Sequence, residues 1–275
     1  MVANRWCAKL DLWFENDRSK TRLIRRRHTG PLAIQQPFYP EADGAAHVYL
    51  LHPPGGIAGG DRLSIHCHLA STARTLLTTP GAAKFYRSDE NLSEQHVHID
   101  VGAGAICEYL PQETIVFSGA HASMKTKVSL AADSIYIGWD LVSLGRPAAG
   151  ERFHTGNFRQ SVEIVREDVP IWFERLNLSG TRMLTAQPFV LAERPIMGTM
   201  VYAGPAIENA AERVRGALGE GACAVFSVSQ LERIIVCRYL GARMSEGKSL
   251  FRRAWEVLRE CAMGKRGVAP RIWST

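Results

Sequence analysis

The chain has 275 residues, 46% hydrophobic and 22% charged, the composition of an ordinary globular protein that buries a sizeable core without disulfides. Its 33 Lys and Arg against 27 Asp and Glu give a formal charge of +6, which favours an acidic partner surface and falls short of the concentrated charge of a nucleic-acid binder. The six cysteines (Cys7, Cys67, Cys107, Cys223, Cys237 and Cys261) are scattered without a CxxC pair, which fits a reducing compartment better than a disulfide framework.

The N-terminal stretch MVANRWCAKLDLWFEND carries Lys9, Asp11 and Glu15 among its apolar residues and does not read as a signal peptide. No run reaches the roughly 18 uninterrupted apolar residues of a membrane span, so a soluble cytoplasmic protein is expected. Next, Thr21–His28 sets Arg22, Arg25, Arg26 and Arg27 close together without interleaved aromatics; it reads as a basic strand facing solvent or another protein. His52–Arg62 gathers Gly55, Gly56, Gly59 and Gly60. Such glycines expose backbone N–H groups to an anion, but the dinucleotide fingerprint is not matched and no helix follows, so a tight turn between strands is expected.

Alternation then dominates. Leu63, Ile65, Cys67 and Leu69 oppose Ser64, His66 and His68, and Val97, Ile99 and Val101 oppose His96, His98 and Asp100. Ala82–Tyr86 offers a short helical turn between them. In Ser134–Leu144, Ile135, Ile137, Trp139 and Leu141 share a face that excludes Tyr136 and Asp140. Further strands are expected at Ala105–Tyr109, Glu113–Phe117, Met124–Leu130, Gln160–Arg166, Ile171–Leu178, Cys223–Val228 and Arg233–Tyr239. Short strands at this spacing argue for an extensive, largely antiparallel β architecture. Two segments read as helices, Ala206–Leu218 and Ser249–Met263, the second with Leu250, Ala254, Val257, Leu258 and Cys261 on one stripe. With no repeat or linker, one domain over residues 1–275 is expected, its C-terminal α/β part (from about Gly198) packed on the β body.

Motifs that carry chemistry are few. Gly241–Ser249 resembles a phosphate-binding loop, but five residues separate its glycines where the motif needs four; Lys248 and Ser249 instead open the last helix, capped by Ser245 or Ser249. His66/His68 and His96/His98 each project from one strand face. As neighbours they form a patch of four imidazoles suited to Ni2+ or Zn2+; apart, they are polar faces in solvent. There is no HExxH, no zinc-type Cys/His spacing and no GxSxG elbow. Asp61, Glu113, Asp140, Glu151 and Glu174 fall in separate strands or turns, and their pairing is not readable from order alone. Two rival classes stay open: an enzyme built on the glycine-rich turn or Lys248, and an interaction module that never touches metal.

Six collinear blocks resemble the urease accessory protein D family, called H in some organisms. They are HTGPLAIQQPFYPE (28–41), HVYLLHPPGGIAGGDRL (47–63), LLTTPGAAKFYRS (76–88), EYLPQETIVF (108–117), IGWDLVSLGRPAAGE (137–151) and APRIWST (269–275). Tyr109 stands where the family more often has Trp, a substitution between large amphipathic aromatics. The resemblance implies a mainly β fold of two stacked sheets in a β-helix-like arrangement with a few helices, the main ones C-terminal. It implies no catalysis and no tightly bound cofactor. It further implies binding to accessory protein F, expected as two copies of each, recruitment of the nickel-carrying GTPase accessory protein G, and docking on apo-urease, with no membrane or nucleic acid involved. Transient Ni2+ is expected along a polar internal passage. By resemblance Asp61, Asp140 and Glu174 lie on that route, with Glu113 a weaker addition; His66 and His68 are weaker metal candidates through their strand spacing alone.

Overall fold

A computed structural model describes residues 5–180, 191–219 and 225–274. The strands are β1 (Cys7–Asp17), β2 (Lys20–Thr29), β3 (Ala33–Ile34), β4 (Ala46–Leu51), β5 (Arg62–Leu69) and β6 (Arg74–Thr78). They continue with β7 (Ala83–Phe85), β8 (Ser93–Val101), β9 (Ile106–Tyr109), β10 (Thr114–Val116), β11 (His121–Leu130) and β12 (Ile135–Arg146). The rest are β13 (Glu151–Arg152), β14 (Asn157–Arg166), β15 (Val169–Ser179), β16 (Ile196–Ala203), β17 (Val225–Leu231) and β18 (Ile234–Gly241). Among the described residues two α-helices follow the same order, α1 (Ala210–Leu218) and α2 (Met244–Met263).

The strands make two stacked sheets. Seven strands lie in the order β15-β14-β11-β8-β5-β1-β2; the other sheet has eleven, its main path running β17-β18-β16-β12-β9-β6-β4-β3. The chain passes from one sheet to the other and back, as in β5 to β6, β8 to β9 and β11 to β12. Same-sheet neighbours therefore pair in parallel: β5, β8, β11 and β14 on one side, β4, β6, β9 and β12 on the other. This is the β-helix-like stack, and it corrects the largely antiparallel expectation. Side chains alternate with period two in either direction, so the pattern carries no information on strand polarity. Antiparallel pairs close the ends, at β1–β2, β14–β15 and β12–β16–β18–β17.

Three local expectations also change. Ala82–Tyr86 is no helical turn; five residues cannot nucleate one against the alternative of pairing, and β7 pairs with β10 while Phe85 is fully buried. Helix α2 begins at Met244, so Lys248 and Ser249 sit inside its first turns and neither serine caps it; the cap position is Arg243. Cys223, at the start of one expected strand, lies outside the described residues; β17 runs from Val225. The other five cysteines are free thiols. Among the described residues no helix is long and apolar enough to cross a membrane.

Between the sheets lies a core that includes Leu10, Leu12, Leu63, Cys67, Val97, Ile99, Val128 and Val142. Strand β12 is buried on both faces. Ile137, Trp139 and Leu141 meet Phe251, Trp255 and Leu258 of α2, while Tyr136, Val142 and Leu144 face the seven-stranded sheet. Arg259 pins α2 to the sheet from a site only 2% exposed. Its guanidinium donates to Glu41 Oε2 at 2.5 Å and lies 3.3 Å from Glu108 Oε2. Trp255 Nε1 donates to the other Glu108 oxygen at 2.5 Å, and His47 meets Glu41 at 2.7 Å. Burial pushes the Glu108 carboxyl up to about 7, although Arg259 and the Trp255 hydrogen bond oppose it. Burial acts on Glu41 too, but its His47 and Arg259 partners outweigh it and hold that carboxyl below the usual range.

Arg259→Leu leaves two buried carboxylates without their cation. Urea unfolding followed by tryptophan fluorescence should show a loss of about 3–5 kcal/mol; a loss under about 1 kcal/mol would mean the helix is held by apolar packing alone.

Candidate functional site

Strand β12 runs centrally in the larger sheet, and its even-numbered residues point between the sheets. Tyr136 and Asp140 are on that inner face, and Gly138 separates them. A Cβ at Gly138 would lie 2.0 Å from the Tyr136 hydroxyl, so the ring occupies the space over the glycine. Asp140 thus sits in the apolar interior with open space on either side. One cavity, about 420 Å³, is bordered by His52, Gln95, Tyr109, Thr114 and Asp140 among mostly apolar groups. A second, about 400 Å³, is bordered by Asp140, Gln160, Glu174, Thr199 and Arg238. Asp140 is common to both.

Burial pushes the Asp140 carboxyl up to about 6; Glu174 adds repulsion, and a hydrogen bond from Gln160 opposes the shift. Glu174 Oε1 accepts from Thr199 Oγ1 and from Arg238, both at 3.4 Å. Its Oε2 is buried and has no hydrogen-bond partner among the described residues. An ionisable pair with a free, enclosed carboxylate oxygen is an arrangement that a cation or water can use.

The other expected residues are placed differently. Asp61 is buried and accepts amide hydrogens from Trp6 at 3.0 Å and Ala58 at 3.1 Å, so both oxygens hold the turn; it borders neither cavity. Nearby His52 does border the first cavity, and burial lowers its pKa against the attraction of Asp61. Glu113 is ion-paired with Lys248 of α2, which gives that lysine a partner within the chain. His66 and His68 lie on the outer face of β5, on the side of the sheet away from the cavities.

The glycine cluster is a packed turn. A Cβ at Gly56 would come within 2.2 Å of the Tyr86 ring, and one at Gly59 within 2.5 Å of the Ser88 side chain. Gly55 and Gly60 adopt positive φ. Sequence reasoning missed Gln160, Thr199, Arg238, Gln95 and His52. Each is a single polar residue in a strand or loop, and only strand pairing brings them to Asp140.

Comparison with known proteins agrees with the six blocks. The family described as UreD urease accessory protein matches residues 7–274. Urease accessory protein UreD 2 of Brucella anthropi is 62% identical over 274 residues, covering all of both chains. Urease accessory protein UreD of Dechloromonas aromatica is 42% identical, covering 98% of this chain and 95% of its own. That of Nitrosococcus oceani is 39% identical, covering 98% and 90%.

The raised Asp140 carboxyl sets a pH dependence. Between its unfolded value near 4 and its folded value of about 6, the folded chain binds the extra proton. That stabilisation is complete below about pH 4 and is lost as pH rises through about 6. Asp140→Asn should therefore unfold at a higher temperature than the parent at pH 8 and at the same temperature at pH 4. Equal melting at both pH values would contradict the shift.

Proposed function

This chain belongs to the urease accessory protein UreD family, and on that premise we propose that it is a non-catalytic scaffold that passes Ni2+ through its interior. Membership places it in urease maturation. The observation that carries the finer reading is the meeting at Asp140 of two cavities that each hold a few polar side chains among apolar ones, with Glu174 beyond it.

Nickel is the cargo here, and its passage is a matter of successive exchange of oxygen and nitrogen ligands. A divalent ion in a protein interior needs water, carboxylates or imidazoles to offset lost hydration. Asp140, with its carboxyl raised to about 6, is mostly ionised in the neutral range and so offers a charged oxygen to a passing cation. Glu174 offers Oε2, while Arg238 and Thr199 occupy Oε1 and keep that side chain aimed at the cavity. Gln160 steadies Asp140. His52, at the border of the first cavity, is kept toward its neutral, ligating form. Asp61 serves this route by holding the 58–61 turn that follows the His52 turn, and Glu113 by fixing α2 through Lys248.

The partners follow from the same reading: accessory protein F in direct contact, two copies of each; the nickel-carrying GTPase accessory protein G through that complex; and apo-urease as acceptor, all in the cytoplasm. The enzyme alternative has less support, since the glycine turn is filled by Tyr86 and Ser88 and Lys248 is paired.

The test is a urease operon lacking its own D protein, complemented by this chain or by Asp140→Ala/Glu174→Ala. The double variant should still co-purify with its partners while urease activity and nickel content fall about tenfold or more. Wild-type activity and nickel content with the double variant would end the passage reading and leave a metal-free interaction module.

A further inference from the structure

Away from the cavities, the outer face of the seven-stranded sheet carries three imidazoles around one carboxylate. Parallel pairing of β5 with β8 sets His66 opposite His98 and His68 opposite Asp100. Each pair of like position projects from the same face, so four side chains form a square on adjacent strands. Asp100 Oδ2 lies 2.8 Å from His66 Nε2 and 3.0 Å from His68 Nδ1, and Asp100 Oδ1 lies 3.1 Å from His98 Nε2. His66 stacks on His98 with centroids 4.4 Å apart, and Trp13 stacks on the far side of His68 at 5.1 Å. His96 stands apart, 3.2 Å from Glu94.

We propose that His66, His68 and Asp100, with His98 beside them, form a surface site for a borderline divalent transition metal ion such as Ni2+ or Zn2+. The candidate ligand atoms of His66, His68 and Asp100 lie within 4.8 Å of one another. An ion bound tetrahedrally at about 2.0–2.2 Å holds neighbouring ligand atoms about 3.3–3.6 Å apart, so it would replace the shared protons of the Asp100 contacts with a small widening of each. Little rearrangement is needed, because Trp13 buttresses one imidazole and His98 another. Nitrogen donors with a single carboxylate select nickel, zinc or copper over calcium and magnesium, which require oxygen shells. All four groups remain about a third exposed, so an ion reaches them from solvent and open positions face outward. A three-ligand site with open positions binds reversibly and can pass its ion on. This site shares no residue with the cavities at Asp140 and stands independently of the passage reading.

The experiment titrates the full-length chain with NiCl2 and with ZnCl2 in competition with a chromophoric chelator. The parent should bind one ion per chain at this site, and His66→Gln/His68→Gln should weaken that binding by about tenfold or more. Asp140→Asn/Glu174→Gln should retain it. Unfolding temperatures recorded in excess chelator confirm that the variants fold, and Asp100→Asn serves as a second removal of the site should the double histidine variant fail. Nickel K-edge absorption of the parent should show imidazole scattering that the histidine variant lacks. Equal affinity in parent and histidine variant, loss through the cavity variant instead, or comparable binding of CaCl2 would each overturn the assignment.

Discussion

A carboxylate enclosed between two sheets of Leu, Ile and Val costs several kcal/mol unless it is solvated, paired or neutralised. At Asp140 that cost appears as an acid raised to about 6 by burial, which one hydrogen bond from Gln160 offsets only in part. The sheets do not close dry around it. Space remains on both sides, bordered by the polar side chains that an apolar core would not contain. The cavities, the weak acid and the free Glu174 oxygen are therefore one arrangement with one origin, a charged group on the inner face of β12.

Two other enclosed carboxylates show what the fold does where the chain itself supplies the cation. Glu41 and Glu108 lie under α2 and share Arg259, with Trp255 and His47 completing their hydrogen bonds. One guanidinium serves two acids, so Glu41 takes the charge and Glu108 is pushed toward its protonated form. That network fastens the helical layer to the larger sheet. It also gives β12 a rigid backing, since Ile137, Trp139 and Leu141 on its outer side pack on Phe251, Trp255 and Leu258. Asp140 is held in place from behind by apolar contact and faces open space in front.

Much of the site was readable only in part. Asp140, inside a family block, and Glu174, outside the blocks, both stood out through the family resemblance, and both border the same cavity. Asp61 belongs to the same block as His52, yet it spends its oxygens on turn amides while His52 reaches the cavity. Glu113 was a carboxylate in a promising motif and proved to be the partner of Lys248. Gln160, Thr199 and Arg238 carried no signal, because a lone polar residue in a strand looks the same whether it faces water or a cavity. The histidine pairs were visible as pairs. Their true grouping, three imidazoles with Asp100 and without His96, depends on the register of β5 against β8.

By itself the order of residues determined the β class, the position of most strands, the two C-terminal helices and, through six collinear blocks, the family. Those features depend on local alternation, turn chemistry and motif order, all written along the chain. Tertiary structure alone decided strand direction, the passage of the chain between two sheets, and which polar side chains share a space. Period-two alternation is identical in parallel and antiparallel sheets, and register over tens of residues is set by packing of whole faces, so neither is encoded locally.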